Sequence, residues 1–594
     1  MASNLVKYAL DACSAWTWWD GRITIVGLVI LPLLVTYLIT SISAYVIKSK
    51  ASSGQNGARP PPMPYLVPLL GNTFQFATKP ESFLTNALKR FGKIPFRLLV
   101  GGETYYFMPP GEAVLAMFKA SRDLTSKPLS VVSLRDQFNV PPADMKILYG
   151  DDSGVNPKPA EGFETMDPAH RIFHIMHTDL HTKLNGTALD AMMDRMVTVF
   201  SARLQAAAAV SQSSSRMDAH GWTCLPDLYQ FLRDEMFRAS TETLCGSLLL
   251  HQSPSFVADF WTFDSHMLAL FGRVPRWLAP SAHAARDRAL AAVKLWRQTA
   301  LARFDYTDTD LFENAEWDPL WGTRLVRHRS VSIPKAGLSD DAGASFELGL
   351  IWGTNANAIP AAMWTLLGIL QDPSVTARVL AEVLPCFDDS TGRLDPAKLY
   401  SQPLLTSAYM EALRMSSATT AARAPLSPNI TLAGWTMERP ATLLSLSWFA
   451  HHDDGFWNSD DHPLDTFWAE RFLEYPDDPA SGPIRKTTGD FGTKPTTTTR
   501  ERSGEDDKTA KVVTSGIQGF YYPYGGGTKM CPGRFFAKQE IMSCVAMMLR
   551  EFDIELEDRD AACKTRPDMH YFPIGVLPPD RPVPVRMRRR GRRF

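Results

Sequence analysis

The seven cysteines of this 594-residue chain include no CxxC pair and no dense spacing, which excludes a disulfide framework and fits a reducing compartment. Charge of one sign is equally lacking. With 62 Lys and Arg against 63 Asp and Glu, the net charge is −1, so no electrostatic footprint for nucleic acid is present. No internal repeat is visible, which excludes a solenoid or propeller even though length alone would suggest several domains. A triple glycine occurs at 525–527 without a following Gly-Lys-Ser/Thr, and a phosphate loop is thereby disfavoured. What remains is ordinary globular composition, 45% hydrophobic and 21% charged, spread as if serving one large core.

Two long stretches lack any charged residue. Residues 23–47 are rich in Ile, Leu and Val and long enough to cross a bilayer with some tilt. A cleaved signal peptide is the competing reading; it is disfavoured because the run starts well into the chain and ends in Tyr45-Val-Ile-Lys48 without a small-residue cleavage site. Lys48, Lys50 and Arg59 follow the span and Lys7 and Arg22 precede it, a weak bias toward a cytosolic body. Residues 1–22 are aromatic-rich and suit a lumenal or interfacial position. Arg59-Pro-Pro-Pro-Met-Pro64 closes residues 48–64, a proline-rich hinge expected as a stiff spacer. The second uncharged stretch, 348–371, is apolar around most of its circumference, the profile of a helix buried through a large domain. A membrane span competes on length, but Thr354, Asn355, Asn357 and Pro360 cluster mid-segment and suit a helix that bends beside a polar pocket.

The densest chemistry lies at Tyr524-Gly-Gly-Gly527-Thr-Lys529-Met-Cys531-Pro-Gly533. Glycines let the main chain run close to a flat ligand. Pro532 suits a first helical position, and the run from Gly533 through Arg550 has helical composition. A helix start offers amides and a positive dipole end that would hold a sulfur as thiolate. A glycine hairpin around a buried structural cysteine is the plain alternative. Upstream, Glu411 and Arg414 share one face of a helix, and Glu470-Arg471-Phe472 supplies a second arginine for the same carboxylate.

Tyr524, Gly527, Lys529, Cys531 and Gly533 resemble the cytochrome P-450 signature, with Tyr and Lys where that family usually has Phe and Arg. Glu411-x-x-Arg414, then Glu470-Arg471-Phe472, then the cysteine loop follow the family's order. The resemblance implies a mainly α fold with a small β lobe near the N-terminus, preceded by a transmembrane helix, with the haem-thiolate catalytic domain over 65–585. It implies haem b with Cys531 on the iron, the cofactor-binding set Tyr524, Gly527, Lys529, Gly533 and Arg423, and Arg423 and Lys529 as propionate partners. In the family 348–371 is the helix across the distal face. There the usual acid–Thr pair is replaced by Asn357-Ala358, similar to the sterol 7α-hydroxylase and prostacyclin synthase branch with its following Ile-Pro, though that branch usually keeps a Thr at the place of Ala358. Asn357, Thr354 or ordered water would have to carry protons. The usual Trp-x-x-x-Arg contact is not visible in the helix-like 176–196, where Lys183 is the candidate substitute.

These implications amount to a monooxygenase inserting one atom of O2 into a bulky lipophilic sterol, terpenoid or polyketide in secondary-metabolite biosynthesis. The expected partners are NADPH-cytochrome P-450 reductase and the endoplasmic reticulum membrane, crossed once with the catalytic domain cytosolic and no nucleic acid bound. A haem-thiolate isomerase or dehydratase acting on a peroxide without reductase is the alternative, and a haem sensor carries little weight. His451-His452-Asp453-Asp454 is not read as a metal site. Residues 476–511 are expected as a low-complexity surface insertion, 211–215 as a spacer between two helices, and 586–594 as a basic tail.

Overall fold

The computed structural model describes residues 26–52, 59–212, 218, 220–458, 462–478, 481–483 and 502–590. The expected interfacial segment 1–22 and most of the 476–511 insertion lie outside them. Contacts divide the chain into two units, Met1–Thr125 with Ala422–Ser445, and Ser126–Ala421 with Leu446–Phe594.

The smaller unit is built on the strands Phe96–Val100 and Glu103–Phe107, an antiparallel hairpin in which Leu98 faces Tyr105. Gly101 and Gly102 both have positive φ, the conformation a two-residue hairpin turn requires. The sheet continues through Ala441–Leu446, parallel to Glu103–Phe107, then Thr420–Pro425 and Leu124–Thr125. Phe91, Phe96 and Phe107 stack beneath it with centroids 5.0–5.2 Å apart. The proline-rich stretch is not a free spacer. Met63 N donates to Arg97 O and Arg97 N to Pro61 O, both at 2.8 Å, because an extended polyproline backbone keeps carbonyls that a sheet edge can use. The uncharged N-terminal stretch forms a π turn, Val26–Ile30, and the helix Leu31–Ser52. Within it Leu31–Lys50 has mean hydropathy 1.5 and almost none of it is buried, with Leu34, Leu38, Ile39 and Ile42 all exposed. By length and composition it is the one helix among the described residues fit to cross a membrane.

The larger unit is helical and organised around Asp340–Leu370. Ser339 caps that helix through the Ala342 amide, and Asp340 and Asp341 oppose its dipole. Its side chains from Leu348 to Leu370 are mostly buried, including Ile351, Ile359, Met363 and Leu367, so the segment 348–371 is a core helix and not a span. Each such aliphatic contributes roughly 1.5–3 kcal/mol on burial. Around it pack Leu228–Cys245, Pro280–Arg303, Pro403–Ser416 and Arg534–Glu551. The helix-like 176–196 is two helices, Ile172–Lys183 and Gly186–Gln212.

Three peripheral expectations change. The basic tail begins inside the strand Val585–Arg589, central in a sheet between Phe552–Leu556 and Thr223–Leu225. Three of its cations are paired, Arg586 with Glu555, and Arg588 and Arg590 with Asp553, which a read of charge alone could not see. The end of the insertion is likewise structured. Ser503 and Asp506 form a capping box for Gly504–Thr509, and buried Asp507 takes both Arg378 and the Tyr475 hydroxyl. Beyond Gln212 the next described element is the strand Thr223–Leu225, not a helix.

Candidate active site

A buried ion triad supports the cysteine loop from behind. Arg414, on Pro403–Ser416, grips Glu411 through Nε at 2.7 Å and Nη2 at 2.9 Å, and Arg471 Nε adds a third bond at 2.9 Å. All three residues are buried. Burial works against ionisation of Glu411, yet Arg414 and Arg471 hold its carboxyl below the ordinary value. The remaining guanidinium protons go to carbonyls, Arg414 Nη1 to His451 O at 2.9 Å and Arg471 Nη1 to Trp457 O at 3.0 Å. His451 then accepts the Tyr522 amide on Nε2 at 3.0 Å. The triad is thus wired, through one histidine, to the chain that enters the loop, and the His451 Nε2 is occupied by backbone. This arrangement was legible from residue spacing; the role of His451 was not.

In the loop, Gly525 and Gly527 adopt φ of 71° and 68°, open to glycine alone without strain. Cys531 N donates to Tyr524 O at 3.0 Å, and the Tyr524 hydroxyl meets that of Tyr409 at 2.5 Å. The helix begins at Arg534 with Gly533 as its cap, so Pro532 stands outside the helix instead of at its first position. Burial pushes the Cys531 thiol up, opposed by the Gly533 amide and by Arg534. The helix start therefore eases the thiolate without securing it, and iron binding would displace the proton. Cys531 is nonetheless solvent-accessible. Accessible and desolvated together describe a sulfur facing into a cleft.

The flank of that cleft holds what sequence reading missed. His177 and His181, one turn apart on Ile172–Lys183, lie with ring centroids 4.3 Å apart and planes tilted by 44°, and the Nε2 atom of each is buried without a hydrogen-bond partner. Burial, then His181, then Lys529 push His177 down to about 4; burial, Arg534 and Lys529 lower His181. Both imidazoles are therefore neutral and adjoin the cysteine loop. Their i, i+4 spacing equals that of the Trp-x-x-x-Arg pattern sought in this helix, which is the signal that could have found them. Lys183, the expected substitute, pairs with Asp179 at 2.6 Å. Arg423 lies in the smaller unit on the strand Thr420–Pro425, buried and pushed down to about 10 by desolvation.

On the central helix, Gly353 is exposed between the half-buried Trp352 and Thr354, and a β-carbon there would meet no atom within 4 Å. Thr354 Oγ1 is directed back to Leu350 O and Ile351 O at 3.1 and 3.0 Å and lies 3.2 Å from Asn355 Nδ2. Asn357 reaches away from its own helix, its Oδ1 accepting the Val576 amide at 2.8 Å. Ala358 is buried. These features fit a flat macrocycle with acidic edges: a thiol facing a cleft, neutral imidazoles with unspent Nε2 atoms, a nearby lysine, and an open strip of helix at Gly353.

Comparison with known proteins agrees. The family model for Cytochrome P450 matches residues 227–582. Cytochrome P450 monooxygenase fsoE of Humicola fuscoatra is 34% identical over 561 residues, 92% of this chain and 90% of the relative. The cholesterol 7-alpha-monooxygenase of Cricetulus griseus is 26% identical over 375 residues, covering 59% of this chain and 64% of the relative. Among solved structures, the retinoic acid-bound cyanobacterial CYP120A1 superposes with a TM-score of 0.60 at 15% identity, covering 90% of this chain and 100% of that one, which speaks for the fold. The chain belongs to the cytochrome P450 family. It is a haem-thiolate monooxygenase related to the sterol 7-alpha-hydroxylases.

Proposed function

We propose that Cys531 is the axial ligand of haem b, cradled by Tyr524, Gly527 and Gly533, with His177, His181, Lys529 and Arg423 taking the propionates. The observation that carries the assignment is the Cys531 sulfur, accessible yet desolvated, with the Gly533 amide directed at it. When bound, a haem thiolate supplies activation of dioxygen by electron push from sulfur. This chain's residues do the rest. The Gly533 amide tempers the charge on sulfur, and the triad behind Tyr522 keeps the loop in register. On the other side Thr354 Oγ1 carries the exchangeable proton nearest the open strip of helix, with Asn355 Nδ2 as its neighbour. Asn357 is a positioning residue, its carbonyl oxygen spent on Val576.

The substrate is a bulky lipophilic molecule of sterol, terpenoid or polyketide type, and the product belongs to secondary metabolism. Similarity to fungal monooxygenases and to a sterol hydroxylase supports this reading. The helix Leu31–Lys50 anchors the protein in the endoplasmic reticulum membrane, and electrons come from NADPH-cytochrome P450 reductase. The test is a reduced carbon-monoxide difference spectrum of wild type and Cys531→Ala, followed by oxygen uptake with reductase and NADPH. Loss of the thiolate signature in the variant and substrate-dependent uptake by wild type are expected. Turnover of a hydroperoxide with no NADPH oxidation under any substrate would overturn the monooxygenase reading in favour of peroxide rearrangement.

A further inference from the structure

Beside the central helix lies a small cavity, bounded by the end of Phe256–Ser265, the start of Leu228–Cys245 and the 571–578 loop. Its volume is about 10 Å³, room for about one water or one hydroxyl. The walls carry far more polar chemistry than that space needs, with Tyr229, Asp264, Asn357 and Tyr571 all lining it. Asp264 Oδ1 accepts Trp352 Nε1 at 2.8 Å, and among the described residues nothing else bonds its carboxyl. The hydroxyls of Tyr229 and Tyr571 have no hydrogen-bond partner among the described residues. All three are half-buried, and three polar groups with spare hydrogen-bonding capacity on the wall of one cavity suit a ligand that carries a hydroxyl.

The charges nearby narrow its chemistry. Burial raises Asp264 to about 6, the Trp352 bond and Arg233 opposing. Burial and then the Asp264 carboxyl push up Tyr229 and Tyr571, which puts both phenols within electrostatic reach of the carboxyl. Arg233, held over Trp261 at 5.2 Å, acts on all three. A cationic occupant would meet that guanidinium and an anionic one the carboxylate. A ketone would offer Asp264 no donor.

We propose that this cavity anchors a neutral hydroxyl of the substrate, donating to Asp264 and accepting from Tyr229 or Tyr571, while the apolar skeleton extends along Met267 and Ile574. The lining residues Ala356 and Asn357 sit on the turn after Gly353, so an anchored hydroxyl fixes the skeleton against the open strip of helix. The enzyme would thus act on an already hydroxylated lipophile, which an earlier oxygenation or an oxidative cyclisation must supply. This deepens the haem-thiolate reading and rests on it for the identity of the cleft.

The test uses full-length protein in detergent and matched probes, adamantan-1-ol against adamantane and cholesterol against its 3-deoxy hydrocarbon. Binding is read twice, by the haem spin-state shift and by fluorescence of Trp352, compared with a Trp352→Phe background. The alcohol of at least one pair is expected to bind about tenfold or more tightly than its hydrocarbon. Asp264→Leu should erase that preference, and the milder Tyr571→Phe or Tyr229→Phe should reduce it. Equal binding within both pairs, no binding of any probe, a preference that survives all three variants, or tighter binding of the adamantyl trimethylammonium ion overturns the proposal. Absence of the thiolate signature in the carbon-monoxide spectrum would instead indict the haem reading, since the fluorescence signal reports the anchor independently.

Discussion

Asn357 Oδ1 stands 1.9 Å from where a β-carbon on Gly575 would sit, while it accepts the next amide, Val576, at 2.8 Å. Gly575 itself holds φ at 61°. One asparagine on the central helix thus fixes a loop that shares a cavity with Asp264, and glycine is what allows the approach.

The first prediction follows from that contact. Gly575→Ala adds a clash and a strained backbone, and Asn357→Ala leaves the Val576 amide unpaired; each should cost about 1–3 kcal/mol locally. Both variants should retain the carbon-monoxide signature, bind substrate about tenfold more weakly and alter the product ratio. If Asn357→Ala keeps substrate affinity but wastes NADPH as peroxide, the residue handles protons instead of positioning the loop.

A second prediction concerns the triad. Glu411→Gln strands two buried guanidinium groups, a loss of about 3–5 kcal/mol for an uncompensated buried charge. Folded, haem-loaded protein should fail to accumulate, as read by the haem-to-protein absorbance ratio after purification. Arg471→Lys keeps the charge but cannot reach both Glu411 and Trp457 O, and should give protein of intermediate stability in urea unfolding.

The Glu411–Arg414 pair and the cysteine loop were legible because each is a local pattern: Glu411 and Arg414 share a helix turn, and the glycines and Cys531 share one loop; Arg471, 60 residues from Glu411, is the exception, reached through the family's order of motifs. The buried helix was legible for the same reason, since a run without charge that carries Thr354 and Asn357 has few other homes. Long-range pairing was not legible. Asn357 meets Val576, and Arg586 meets Glu555, and neither sequence neighbourhood encodes its partner. The basic run 586–594 therefore read as a tail, whereas its first residues lie in the central strand Val585–Arg589. The proline-rich stretch read as a spacer because its composition reports stiffness, not what its carbonyls will bond.

The third prediction separates His177 and His181 from Lys183. Replacing either histidine, His177→Phe or His181→Leu, removes an imidazole with a buried, unpartnered Nε2 beside Lys529. Haem should then transfer to apomyoglobin at least about tenfold faster, a loss of one charge-assisted hydrogen bond, with the thiolate signature unchanged before transfer. Lys183→Ala should leave the transfer rate alone, because its ammonium is engaged by Asp179. Equal rates in all three variants would return the propionates to Lys529 and Arg423.

The last prediction comes from a carboxyl that no mechanism uses. Glu540, on the helix that follows the cysteine loop, is fully buried with both oxygens lacking hydrogen-bond partners, and burial raises it from 4.5 to about 8, with Ser240 as its polar neighbour. A carboxyl whose folded pKa exceeds its unfolded one contributes fully below 4.5 and loses that contribution as pH rises toward 8. Between those limits the folded state carries a proton that the unfolded chain has shed, at a cost approaching on the order of 4 kcal/mol near neutral pH. Thermal unfolding of the wild type should therefore fall in Tm from about pH 5 to about pH 8. Glu540→Gln, which carries no titrating proton, should flatten that slope and raise Tm most at the alkaline end. A variant that shifts Tm equally at every pH would mean that the effect is packing, and that Glu540 ionises near its ordinary value.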